Sequence, residues 1–172
     1  MHKMESIVNK VAESSIVTLD LATDLPAEES IAVFDLKPFL FREMILREKD
    51  YRAALLEHDW SLYEGKHIAV QCSVDAIIPV WAYMLAASYL QPVAVSVFFG
   101  VKDALRAHLI AESVAGISTE EFRDKRVVLK GCGDVAVPEQ AYLRATAHLR
   151  PVVKSIMYGE PCSTVPIYKK KA

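Results

Sequence analysis

Residues 67–158 alternate three short apolar strands with three helical stretches, and this alternation limits the fold more than any other feature. Residues 67–72, 93–99 and 126–130 read as strands, and 75–90, 102–114 and 138–149 read as helices. Connections of this kind join parallel strands through right-handed crossovers. The predicted class is α/β, a single domain over 1–172 with a mixed, mostly parallel sheet. Its C-terminal two-thirds is a βαβαβα series, to which the first 60 residues add two strands and a helical layer.

Local signals refine this frame. The uninterrupted apolar run 93–99 predicts burial on both faces. Pro79 breaks no helical bond if it falls among the first four helical residues, so the helix before Leu90 starts at Asp75 or later. Met4, Ile7, Val8 and Val11 share one face of an amphipathic helix over 2–12. Residues 16–21 alternate as a half-buried strand, 22–30 form an acidic loop, and 31–34 form a second strand. Asp35 is placed to cap a helix with Pro38 in its first turn, running to about Lys49 and followed by a second over 50–58. Ser118-Thr119-Glu120-Glu121 has capping-box spacing. Pro151 breaks or kinks the last helix, and Gly159 stops what remains.

The net charge of −2 is spread along the chain, which excludes the basic stripe that nucleic acid requires. Lys169-Lys170-Lys171 reads as a solvated tail. The most apolar window, 76–90, is too short to span a bilayer and reads as a buried helix. The absence of an apolar leader predicts a cytoplasmic protein, with free thiols and no disulfides.

The three cysteines, an odd number, all sit at turns. Cys72 closes a strand just before a helix start, where partial positive charge favours a thiolate. Cys132 follows a strand and lies between Gly131 and Gly133, which allow close backbone approach to an ion. Cys162 lies in a polar loop bounded by Pro161 and Pro166. Each also has a plainer reading: a small buried hydrophobe, a glycine-rich turn and a surface thiol. Taken together, Cys72, Cys132 and Cys162 predict a three-thiolate site for zinc or an iron–sulfur species. Asp75 is the favoured fourth ligand or a supporting partner, with Asp134 and Glu160 as other carboxylates. No Cys-x-x-Cys pair supports this. Chain direction also opposes it, because the helix after residue 130 carries Cys162 toward the opposite sheet edge unless the kink at Pro151 returns it.

Several stretches carry a resemblance: Glu48-Lys49-Asp50-Tyr51-Arg52, His58-Asp59-Trp60, Cys72-Ser73-Val74-Asp75 with the following Ala76-Ile77-Ile78-Pro79-Val80-Trp81, Lys130-Gly131-Cys132, and Ser155-Ile156-Met157-Tyr158-Gly159-Glu160-Pro161-Cys162. Together these resemble an uncharacterised Bacteroidetes family that carries a domain-of-unknown-function label. The resemblance implies no activity. It implies a gene setting near iron–sulfur (SUF) assembly genes, hence iron–sulfur assembly proteins as partners. The expected function is metal or sulfur handling at the three thiolates. Two alternatives stand beside it: an enzyme with a cysteine nucleophile, Cys162 first, and a binding or scaffold module without chemistry.

Overall fold

Runs of β-branched and aromatic residues at 31–35 and 67–71 form β2 (Ile31–Asp35) and β5 (His67–Gln71), which pair in parallel from Ile31↔His67 to Asp35↔Gln71. They belong to a computed structural model that describes residues 16–23, 26–131, 136–160 and 163–171. The predicted helix over 2–12 lies outside the described residues. The α/β class holds, with mostly parallel strands, and the pairing divides them between sheets. The chain gathers into two compact units: a central one, Pro26–Leu109, and a terminal one, from Met1–Leu25 and Ile110–Ala172.

In the central unit the strand order is β2-β5-β6, with β6 (Ser96–Phe99) parallel to β5. The period of two along β5 sends its side chains to both faces. Ile68 and Val70 join Phe34, Tyr51, Leu55, Ala82, Ala86 and Leu90 in one cluster. Ala69 packs with Ile31 and Leu105 in another. The first face is covered by α1 (Glu48–Glu57) and α2 (Val80–Leu90), and Leu105 comes from α3 (Lys102–Gly116). Residues 82, 86 and 90 recur every four positions, and the two alanines let α2 lie close to the sheet.

Several local expectations change here. The segment predicted as a helix from Asp35 to Lys49 is a 3-10 turn, Lys37–Phe39, followed by a small hairpin of β3 (Leu40–Phe41) and β4 (Ile45–Leu46). Arg42 and Glu43 adopt left-handed φ of 53° and 57° at its tip, which ends any helix there. Helix α2 starts at Val80 with Pro79 as its N-cap, so Asp75 stands in the preceding loop instead of the first turn. The apolar run 93–99 is not buried on both faces. Among the described strands β6 is a sheet edge, and Val97 and Phe99 are exposed. Likewise α2 buries one face only, leaving Val80 and Met84 exposed.

In the terminal unit the order is β1-β7-β8-β9. Strands β1 (Ile16–Asp20), β7 (Arg126–Lys130) and β8 (Ser155–Glu160) are parallel, and β9 (Ser163–Lys169) runs antiparallel to β8. Its core joins Val127, Leu129 and Ile156 to Ala141, Ala145 and Leu149 of α4 (Glu139–Leu149), with Ile110 and Val114 of α3. Thr119, not Ser118, precedes the 3-10 turn Glu120–Phe122, and no side chain caps it. The stretch after Pro151, expected as residual helix, is strand β8. The basic end is not wholly a free tail, because Lys169 belongs to β9 and Lys170 pairs with Asp124 at 3.7 Å. Pro166 is tolerated because β9 is an edge strand, and the register shifts beside it between Ile156 and Met157.

Candidate functional site

Parallel strands bring their carboxyl ends to one edge, where α/β proteins commonly place ligands. In the terminal unit that edge is formed by the ends of β1, β7 and β8. Asp20 and Lys130 pair across it at 3.2 Å. Asp20 also accepts a hydrogen bond from the Ala22 N–H at 3.0 Å, and this bond, with Lys130, holds its carboxyl below the usual range against the opposing effect of burial. Gly131 follows. A Cβ there would strike the Tyr142 hydroxyl and approach Val137 Cγ2 to 2.8 Å, so a larger residue would require those side chains to shift. Tyr142 meets Tyr158 of β8 edge to face, with centroids 5.4 Å apart. These rings border an apolar groove of about 980 Å³, lined also by Leu129, Leu143, Thr146 and Ile167, with Glu139 the one charged group among its described lining residues. The volume suits a small organic molecule.

The strand order of this unit bears on the direction of the chain after α4. The register Leu129↔Tyr158 sets β7 and β8 side by side, pointing the same way. The helix α4 does carry the chain back, as expected, but β8 then returns it. Positions 132 and 162 each follow the last residue of their strand by two places in the chain. Cys132, Asp134 and Cys162 themselves lie outside the described residues.

Cys72 and Asp75 belong to the central unit. Cys72 directly follows β5, is half-buried, and its thiol donates to the Val74 carbonyl at 3.5 Å. Asp75 is exposed in the loop before α2. Among the described residues no group of three or more His, Cys, Asp or Glu side chains could hold a metal.

What the sequence reading missed is the polar knot beside Cys72. Asp35, at the end of β2, accepts from the Lys37 N–H at 2.9 Å and from the Ser73 N–H at 3.0 Å. The predicted cap is not formed, since Leu36 holds the N-cap position of the 3-10 turn and no side chain caps it; Asp35 instead makes a local bond two residues on and ties β2 to the residues after β5. Burial opposes its charge, but the Ser73 hydroxyl, the two N–H groups and nearby Lys37 outweigh burial and lower its pKa. Burial, then the nearness of Cys72 and Asp35, raises that of Tyr83. The available signal was topological: Asp35 and Cys72 stand at the ends of neighbouring parallel strands.

A carboxyl whose pKa falls on folding adds stability above its unfolded pKa and loses it as pH falls through the folded value. Asp35→Asn is therefore expected to destabilise the protein by about 2 kcal/mol at neutral pH. The gap from wild type should close as the pH falls below the ordinary aspartate range and through the lowered folded value. Urea midpoints of both proteins across that range test this, and a gap independent of pH would refute it.

Fold and edge together define an α/β protein with mostly parallel strands and a groove at a carboxyl edge. The chain belongs to the family described as protein of unknown function (DUF2480), which matches residues 5–170. No curated protein and no solved structure matches it. Among the described residues no helix is long and apolar enough to cross a membrane.

Proposed function

We propose that the protein handles a metal or sulfur through Cys132 and Cys162 at the carboxyl edge of the terminal sheet, in support of iron–sulfur cluster assembly. The observation that carries this reading is the parallel pairing of β7 with β8. Adjacent strands lie about 4.8 Å apart, so the two segments leave the sheet from neighbouring points. Two residues span at most about 7 Å, a distance that allows the two thiols to share an ion. The donors are chemically suited: thiolates favour zinc and iron–sulfur species, and Asp134 or Glu160 would add a carboxylate. Zinc or an iron–sulfur species held there would be the group carried or delivered. Cys72 and Asp75 belong to the central unit. The family resemblance, with its implied setting near iron–sulfur assembly genes, points to the same chemistry.

Protein purified without oxygen is expected to contain zinc or iron, and Cys132→Ser or Cys162→Ser should each lower the bound metal at least about tenfold. Elemental analysis of wild type and both variants reads this directly. Metal-free wild type, reconstituting no better than the double variant, would sink the proposal.

The groove favours a second reading, in which Cys162 is a nucleophile toward a small molecule that the groove binds. That reading requires one thiol of depressed pKa that alkylates fast near neutral pH. Equal and slow alkylation of all three cysteines counts against it.

A further inference from the structure

We infer that the exposed edge of the central unit is an interface with a second copy of this chain. Strand β6 pairs with β5 alone among the described residues, so its other side offers unpaired backbone groups. Natural edges of this kind carry lysine, proline or a bulge that discourages pairing. Residues 93–101 contain none of these and no charge at all. Instead the exposed side chains are apolar. Phe99 is 72% exposed and Val95 61%, with Val97 on the same face of the run. Phe99 touches Tyr83 of α2 edge to face, with centroids 5.0 Å apart, which joins the strand to the outer flank of that helix. There Val80 and Met84, one turn apart, are 73% and 67% exposed.

These six side chains expose on the order of 600 Å². That stands at the top of the roughly 300–600 Å² range for the largest apolar patch on a typical monomer. It supplies most of the roughly 800 Å² that each partner gives to a stable protein–protein interface. The identity of the occupant follows from the edge itself. An edge strand that meets its own copy antiparallel forms a two-fold contact that closes, using both open edges at once. An uncharged apolar strip is complementary to itself, whereas a charged partner would be left with unpaired charge in the contact.

Sedimentation equilibrium of the full chain at micromolar concentration is expected to give twice the 19.2 kDa chain mass. Phe99→Lys and Met84→Lys should each weaken association at least about 30-fold, the loss typical of a central interface residue. Met84 projects from the outer face of a helix, so its variant keeps the test valid if the strand variant misfolds. Unchanged far-UV circular dichroism verifies the fold of each. A monomeric wild type overturns the inference, including the case in which the patch serves a different protein. Variants that dimerise as tightly as wild type overturn it equally. The outcome is independent of metal content.

Discussion

Replacing Phe34 with alanine is expected to lower the unfolding free energy by about 3–5 kcal/mol, the range for truncating a fully buried aromatic ring. Phe34 is 1% exposed at the centre of the main cluster of the central unit. Its ring stacks on Phe39 and Trp60 at centroid distances of 5.4 and 5.5 Å, and meets His58 and Tyr63 edge-on at 5.6 and 5.9 Å. The neighbours cannot collapse into the gap, because several are fixed elsewhere. The indole N–H of Trp60 donates to the Leu55 carbonyl at 3.0 Å, and its ring stacks on Tyr89 at 5.1 Å. His58 and Tyr63 share a 3.3 Å hydrogen bond. A cavity that cannot relax sets the cost at the upper end of the range. Urea unfolding followed by tryptophan fluorescence measures it. Leu62→Ala, at a side chain 57% exposed, should fall within about 0.5 kcal/mol of wild type. A Phe34→Ala loss as small as that control would show that the ring cluster does not hold this core.

Gly159→Ala is expected to cost about 3 kcal/mol, from backbone strain and steric overlap acting together. Gly159 has φ of 118°, a conformation that residues with a Cβ rarely adopt. A Cβ there would also lie 2.6 Å from the Ser163 carbonyl oxygen across the β8–β9 hairpin, and backbone cannot step aside as a flexible side chain can. Gly65→Ala separates the two effects. Gly65 has φ of 68°, and nothing lies within 4 Å of the place its methyl would take, so only the left-handed penalty of about 1–2 kcal/mol applies. The difference between the two variants isolates the clash. Equal losses would show that the hairpin yields around residue 159. Because β8 and β9 flank residues 161 and 162, Gly159→Ala should also impair metal retention if the proposed thiolate pair is correct.

Much of the local structure was legible in the chain. β-Branched and apolar runs marked the strands at 16–20, 31–35, 67–71 and 126–130 within a residue or two. Alanines and leucines at helical spacing marked 102–116 and 139–149. Where the reading failed, a local signal was ambiguous or absent. Phe39, Leu40, Phe41, Ile45 and Leu46 suit a helix face as well as a hairpin. The turn between them is made by Arg42 and Glu43, which carry no glycine signal for positive φ. Strand β8 begins four residues after Pro151, so it read as the remnant of a helix, and Pro166 hid β9. With β8 unseen, the direction of the chain after α4 was half a step short.

The sequence alone determined the α/β class and the parallel character of most strands. These depend on periodicity and on residue-by-residue backbone preferences, which act over a few positions. Which strands pair, that β6 is an edge and not a buried strand, and that β7 and β8 end side by side were decided only by tertiary structure. Pairing compares surfaces far apart in the chain, and burial depends on what comes to lie against a side chain as much as on the side chain itself.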